Sequence, residues 1–256
     1  MKITFIGAGN MGGATARGLA ARKLAAADIT MADANAAVLE KFAAQGFATS
    51  TDNVAAIKDA EIVVIVVKPF VVADVVARIA PHIKDKLVVC MAPGVKPDEL
   101  LSMFGEPAPA VVYAIPNTAI EIGESVTFVV KVTASDEQVE IVKSLYGSLG
   151  ATLEVPARLL AAGTSVASCG IAYAMRYIRA AVEGAVELGM YPKDALEAVC
   201  ATVRGAAGLI MAHGSHPEAE IDKVTTPGGL TIRGLNAMEE AGFTTAVIKG
   251  LKAGTL

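Results

Sequence analysis

Apolar positions along this chain follow two regimes. Up to Val155 they come as short, nearly continuous runs at 2–6, 29–32, 62–67, 87–91, 111–115 and 126–132. Runs of this length, rich in β-branched residues and bounded by turn residues, predict parallel strands covered on both faces. Residues 49–51 predict a weaker strand, and 152–155 the last. Helical composition fills the gaps at 11–22, 34–45, 69–80, 97–103 and 135–149, with Gly46 a natural stop for the second of these. Strands alternating with helices predict an α/β fold built on a doubly wound, mainly parallel sheet. Beyond Val155 the pattern turns helical: one long helix over 157–188, another over 193–213, and one or two more over 227–253. The boundary is expected between Val155 and Pro156. A Rossmann-type domain at 1–155 then precedes an all-helical domain at 156–256.

Composition narrows the reading. Of 256 residues, 54% are hydrophobic and 19% charged, which excludes disorder as the main description. Much of the apolar excess is alanine, 48 residues, which suits closely approaching helices. Aromatic residues make up 5% and Trp is absent, so base-stacking surfaces are not expected. With a net charge of −4 and no basic run, neither nucleic acid nor an anionic membrane is an expected partner. The uncharged run 159–175 is shorter than the roughly 20 apolar residues of a membrane span, and a buried helix is expected there. Cys90, Cys169 and Cys200 form no C-x-x-C pair, and the N-terminus is not signal-like. Reduced thiols and a cytoplasmic location follow as expectations. His82, His213 and His216 lack zinc spacing, so no metal is expected.

The first chemistry lies in Gly7-Ala8-Gly9-Asn10-Met11-Gly12, a G-x-G-x-x-G directly after the first strand and opening a helix. Such a loop lets a pyrophosphate lie against the backbone, where the helix N-terminus offers unpaired N–H groups. Asp33, 21 residues after Gly12, ends the second predicted strand. An acidic residue there accepts ribose hydroxyls and repels a 2′-phosphate, which favours NADH over NADPH; the alternative is a helix cap. Val67-Lys68-Pro69 ends the fourth strand, where Lys68 meets either the cofactor or solvent. Met91-Ala92-Pro93-Gly94 follows the next strand, where a nicotinamide could rest on its backbone.

Toward the C-terminus, Val224-Thr225-Thr226-Pro227-Gly228-Gly229-Leu230-Thr231-Ile232 resembles the signature of the pyrroline-5-carboxylate reductases. The loop Gly7 to Gly12, Val67-Lys68-Pro69 and Ile115-Pro116-Asn117-Thr118 resemble that family too, in its order and spacing. The resemblance implies NADPH- or NADH-dependent reduction of 1-pyrroline-5-carboxylate to L-proline, the last step of proline synthesis. It also implies a helical domain that interlocks in a homodimer, assembled in some members into a decamer. Cofactor contacts are then expected at Gly7, Ala8, Gly9, Asn10, Met11, Gly12, Asp33, Asn53, Val67, Lys68, Pro69, Met91, Ala92 and Pro93. Substrate contacts are expected at Ser168, Cys169, Lys223, Gly228, Gly229, Leu230 and Thr231. Thr231 carries orientation and proton delivery at the ring nitrogen.

Local physics supports the C-terminal segment. Thr226 suits an N-cap and Pro227 the first helical position. Gly228 and Gly229 would each cost about 1 kcal/mol in a helix interior, which points to a ligand approaching the backbone. Small residues at Gly163, Ala167, Gly170, Ala174, Ala181 and Ala185 offer a face for a second copy. Departures from the family pattern fall at Ala157, Pro93 and Ile171, the last replacing a proline and predicting a straighter helix. Two rivals remain: a related imine or hydroxyacid oxidoreductase, and a non-catalytic dinucleotide sensor. The hydroxyacid type uses a lysine in the long helix, and no Lys occurs between Pro156 and Pro192.

Overall fold

The computed structural model describes residues 1–255. Residues Met1–Cys169 pack as one unit and Gly170–Gly254 as another. The first unit is an eight-stranded sheet in the order β3-β2-β1-β4-β5-β6-β7-β8. Its strands are β1 (Ile3–Ile6), β2 (Ile29–Ala32), β3 (Ala48–Ser50), β4 (Ile62–Ile65), β5 (Leu87–Cys90), β6 (Ala110–Ile115), β7 (Ser125–Lys131) and β8 (Gly150–Glu154). The six strands from β3 to β6 run parallel; β7 is antiparallel to β6, and β8 is parallel to β7.

Continuous apolar strands follow from helices on both sheet faces. Successive side chains alternate, so Ile3, Phe5, Ile62 and Val64 join one core, while Ile6, Val63 and Ile65 join the other. Around the sheet lie α1 (Asn10–Arg22), α2 (Ala36–Ala43), α3 (Asn53–Ile57), α4 (Pro69–Ile79), α5 (Pro97–Phe104) and α6 (Asp136–Gly147). The short α3, capped by the Asp52 carboxylate, is absent from the sequence reading.

The long helix expected over 157–188 is interrupted. A 3₁₀ turn at Ala157–Leu159 leads into α7 (Leu160–Gly163), then a π-helical segment at Thr164–Cys169, then α8 (Gly170–Glu187). Replacing proline by Ile171 therefore does not yield a regular helix. Gly163, Ser165 and Ala167 are buried, whereas Tyr173 and Met175 are exposed, so the expected buried helix holds only for part of 159–175. A Cβ on Gly163 would meet the Phe128 ring at 2.9 Å. Gly163 and Ala167 thus serve packing inside the protomer rather than a face for a second copy.

The second unit holds α8, α9 (Pro192–His213), α10 (Pro217–Lys223), α11 (Leu230–Glu240) and α12 (Phe243–Ala253). The seven-residue α10 escaped the sequence reading. Helix α8 packs on α9 and α12, and the Tyr177 and Phe243 rings meet edge to face at 6.3 Å. Among the described residues of this unit, Ala195 alone is buried. Leu188, Met211 and Leu230 are more than four-fifths exposed. Helix α9, with mean hydropathy 1.5, is long and apolar enough to cross a membrane by length and composition.

Candidate functional site

Register builds the first part of the site. Ile6 pairs with Ala32 and with Ile65, and Ile65 pairs with Cys90. The next residues, Gly7, Asp33, Val66 and Met91, therefore emerge together at the carboxyl edge of β1, β2, β4 and β5. Strand order reverses between β1 and β4, the place where open α/β sheets bind ligands. A cleft of about 880 Å³ opens there. Its lining includes Gly7, Gly9, Asn10, Met11, Asp33, Asn53, Val67, Lys68, Pro69, Met91 and Pro93 from the expected cofactor set. Ala8, Gly12 and Ala92 are buried and do not line it.

The loop fits a pyrophosphate. Gly9 precedes α1 without any side-chain cap, which leaves the first N–H groups of a 13-residue helix for an anion. A Cβ on Gly12 would strike the Gly7 carbonyl oxygen and stand 2.8 Å from Val66 Cγ1, so helix and strand approach this closely only with glycine there. Asp33 Oδ2 accepts from the Ala8 N–H at 2.8 Å and Oδ1 from the Asn35 N–H at 2.9 Å. Asn35, not Asp33, caps α2. Lys68 stands exposed at the cleft as the residue before α4, with no ion pair among the described residues.

Sequence reasoning missed Asp74 and Arg78, which line the cleft with Val71 and Val75. Their spacing of three and four residues places all four on one face of α4, a signal available once the start of that helix is known to border the cleft. Two buried ionisable groups adjoin Met91 of the cleft lining, Cys90 before it in sequence and Tyr146 bonded to its sulfur. Burial pushes the Cys90 thiol up to about 11, so it is no nucleophile near neutral pH. Burial also raises Tyr146, whose hydroxyl donates to the Met91 sulfur at 3.0 Å. Among the described residues no group of three His, Cys, Asp or Glu side chains could hold a metal ion.

Ser168 and Cys169 lie in the π-helical segment, an arrangement frequent at functional sites. Ser168 lines the cleft and Cys169 does not.

The helical unit carries a separate candidate region, and it corrects one expectation. Thr226 does not cap a helix starting at Pro227. Instead the Gly229 N–H donates to the Thr226 carbonyl at 3.0 Å, closing a four-residue turn. Proline at its second position and Gly228 at φ 68° make it type II, a turn that needs glycine at the third position. Helix α11 begins only at Leu230, with Gly229 as an N-cap lacking any side-chain bond. The uncapped N–H groups thus sit one turn later than expected, beside Leu230 and Thr231. Thr15, Thr164, Thr202 and Thr225 each bond back to a carbonyl four residues earlier. Thr231 is exposed and makes no such bond, so its hydroxyl is uncommitted. Lys223 donates to Glu220 Oε1 at 2.7 Å.

Family models match stretches of both units. Residues 157–256 match the family model described as pyrroline-5-carboxylate reductase dimerisation, and residues 2–94 match NADP oxidoreductase coenzyme F420-dependent. Pyrroline-5-carboxylate reductase 1 of Dictyostelium discoideum is 34% identical over 263 residues, which cover 97% of this chain and 48% of that one. The chain thus spans about half the length of that relative. Pyrroline-5-carboxylate reductase of Methanosarcina acetivorans is 32% identical over 257 residues, covering 98% of this chain and 94% of that one. The crystal structure of Plasmodium falciparum pyrroline carboxylate reductase with NADP bound shares the fold at TM-score 0.91 and 22% identity, covering 99% and 95%.

Proposed function

This chain belongs to the pyrroline-5-carboxylate reductase family, and from that premise we propose that it reduces 1-pyrroline-5-carboxylate to L-proline with NADH or NADPH. The observation that carries this reading is the pairing of chemistries in one chain. An uncapped helix start at a Gly-rich loop suits a dinucleotide, and a second uncapped helix start after a type II turn suits a small carboxylate. When bound, the reduced nicotinamide supplies a hydride to the carbon of the substrate's C=N bond.

The chain's own residues bind and orient. The N–H groups after Gly9 hold the pyrophosphate, and Asn53, Val67, Lys68, Pro69, Met91 and Pro93 enclose the rest of the cofactor. Asp33 takes the ribose hydroxyls, and its negative charge leans the preference toward NADH. The N–H groups from Gly229 onward hold the substrate carboxylate. Ser168 and Cys169 are assigned to the substrate on the family resemblance alone. The uncommitted Thr231 hydroxyl hydrogen-bonds the ring nitrogen and relays a proton to it through water. Substrate that arrives already protonated needs no such relay: the Thr231 hydroxyl then accepts from its ring N–H and orients it, and no histidine is required. We assign cofactor binding to 1–155 and substrate binding with self-association to 156–256.

Self-association is supported by the helical unit, whose only buried residue is Ala195. A unit so open needs a partner to cover its apolar surface. We take a second copy of the chain to cover the apolar length of α9, with a membrane excluded from that role. Homodimerisation is the minimum and decamer formation an extension of it. Three unpaired cysteines accord with a cytoplasmic location. Turnover of 1-pyrroline-5-carboxylate, followed as loss of reduced-nicotinamide absorbance, tests the reading. No loss with either cofactor rejects it and leaves the dinucleotide-sensor alternative.

A further inference from the structure

One carboxylate oxygen in the helical unit gathers three donors. Glu220 Oε1 accepts from His213 Nδ1 at 3.1 Å, Ser215 Oγ at 2.5 Å and Lys223 Nζ at 2.7 Å. The Glu220 side chain is 12% exposed, against 49% for His213 and 60% for Lys223. Its carboxyl is held down to about 2, first by Lys223, then by Ser215 and His213, so it is an acceptor only.

These donors come from three places. His213 is the last residue of α9, Ser215 lies in the link that follows Gly214, and Lys223 is the last residue of α10. An isolated helix of seven residues is marginal in water, so its position depends on such ties. Two residues beyond Lys223, the Thr225 hydroxyl donates to the Ile221 carbonyl at 2.7 Å. The next residue, Thr226, opens the type II turn.

We infer that Glu220 is a positioning residue for the substrate turn: its bonds to His213 and Ser215 fix α10 against the end of α9, and so fix where the turn at 226–229 presents its N–H groups. Lys223 is then a strut held by Glu220 rather than a direct partner of the substrate carboxylate. The functional consequence rests on the reductase reading.

The test uses the full chain carrying both His213→Ala and Ser215→Ala. This variant cuts the tie to α9 and leaves the pair of Glu220 with Lys223 intact. Expected is a rise of about fivefold in KM for the imine, with kcat within about twofold and KM for the cofactor unchanged. A mere loss of folded protein lowers kcat and leaves both KM values alone. Restoring donors with His213→Asn and Ser215→Thr is expected to return KM toward its original value. Amide hydrogen exchange at Gly228, Gly229 and Leu230 is read on the same proteins and is expected to quicken in the double alanine variant. Unchanged KM for the imine, or unchanged exchange at the turn, overturns the inference. Absence of turnover in the unaltered protein overturns the reductase reading instead, and exchange then still decides the positioning role.

Discussion

The backbone N–H of Ala8 donates to Asp33 Oδ2 at 2.8 Å, so the carboxylate that ends β2 braces the phosphate loop that follows β1. Its other oxygen is braced by the Asn35 N–H at 2.9 Å. The charge of Asp33 is therefore fixed in place at the cleft, where a 2′-phosphate would have to approach it.

NADH is accordingly expected to give the higher kcat/KM. Asp33→Asn keeps an acceptor for the Ala8 N–H but removes the charge. It is expected to shift the NADH-to-NADPH ratio by about tenfold toward NADPH, equivalent to about 1.4 kcal/mol. Steady-state kinetics with both cofactors check this. A clear NADPH preference in the unaltered protein would sink it, and would turn attention to Lys68 and Arg78 in the same cleft.

Thr231 offers a hydroxyl that no backbone carbonyl claims. Thr231→Ala is expected to lower kcat/KM by about tenfold or more while leaving the KM for cofactor unchanged. A loss under about threefold, less than 1 kcal/mol of transition-state stabilisation, contradicts the role given to this residue.

Glu220 links acid stability to the tie between α9 and α10. Folding lowers its carboxyl from an ordinary 4.5 to about 2. Such a group contributes stability above its ordinary value and loses that contribution as pH falls through the folded value. Glu220→Gln should therefore destabilise the protein near neutral pH, and the gap to the unaltered protein should close between pH 4.5 and about 2. Urea unfolding across that range measures it; a gap independent of pH contradicts the assignment.

A helical unit with Ala195 as its one buried residue cannot leave its apolar surface to water. Sedimentation at micromolar concentration is expected to show a homodimer, twice the 26.2 kDa of one chain. Met211→Glu, at an 82% exposed position of α9, is expected to weaken it. A stable monomer of the unaltered protein would contradict self-association.

The sheet was legible because a doubly covered parallel strand must be apolar at every position, and 62–65 or 87–90 read that way with no help from context. The cleft was legible because Gly7, Asp33 and Met91 directly follow strands and Lys68 ends the apolar run 62–67. The π-helical segment was not, since Thr164, Ser165 and Ser168 carry no local preference for that hydrogen-bond pattern. Helices α3 and α10 were too short for a periodic apolar stripe. Thr226-Pro227 was ambiguous by nature: the pair suits an N-cap followed by a first helical residue, and equally the first two positions of a type II turn. The positive φ of Gly228 decides between them, and a sequence does not display φ. The bonds from His213 and Ser215 to Glu220 Oε1 depend on where α10 meets the end of α9, which no spacing along the chain encodes; the bond from Lys223 is an i,i+3 pair within α10.

The central claim is that hydride passes to the C=N carbon of the substrate, and isotope transfer tests it most directly. Turnover of 1-pyrroline-5-carboxylate with reduced cofactor carrying deuterium at the transferring position of the nicotinamide is followed by mass spectrometry of the product. The expected result is proline bearing one deuterium on the ring carbon next to nitrogen that had been the imine carbon. Absence of proline, or proline without the label, would contradict it.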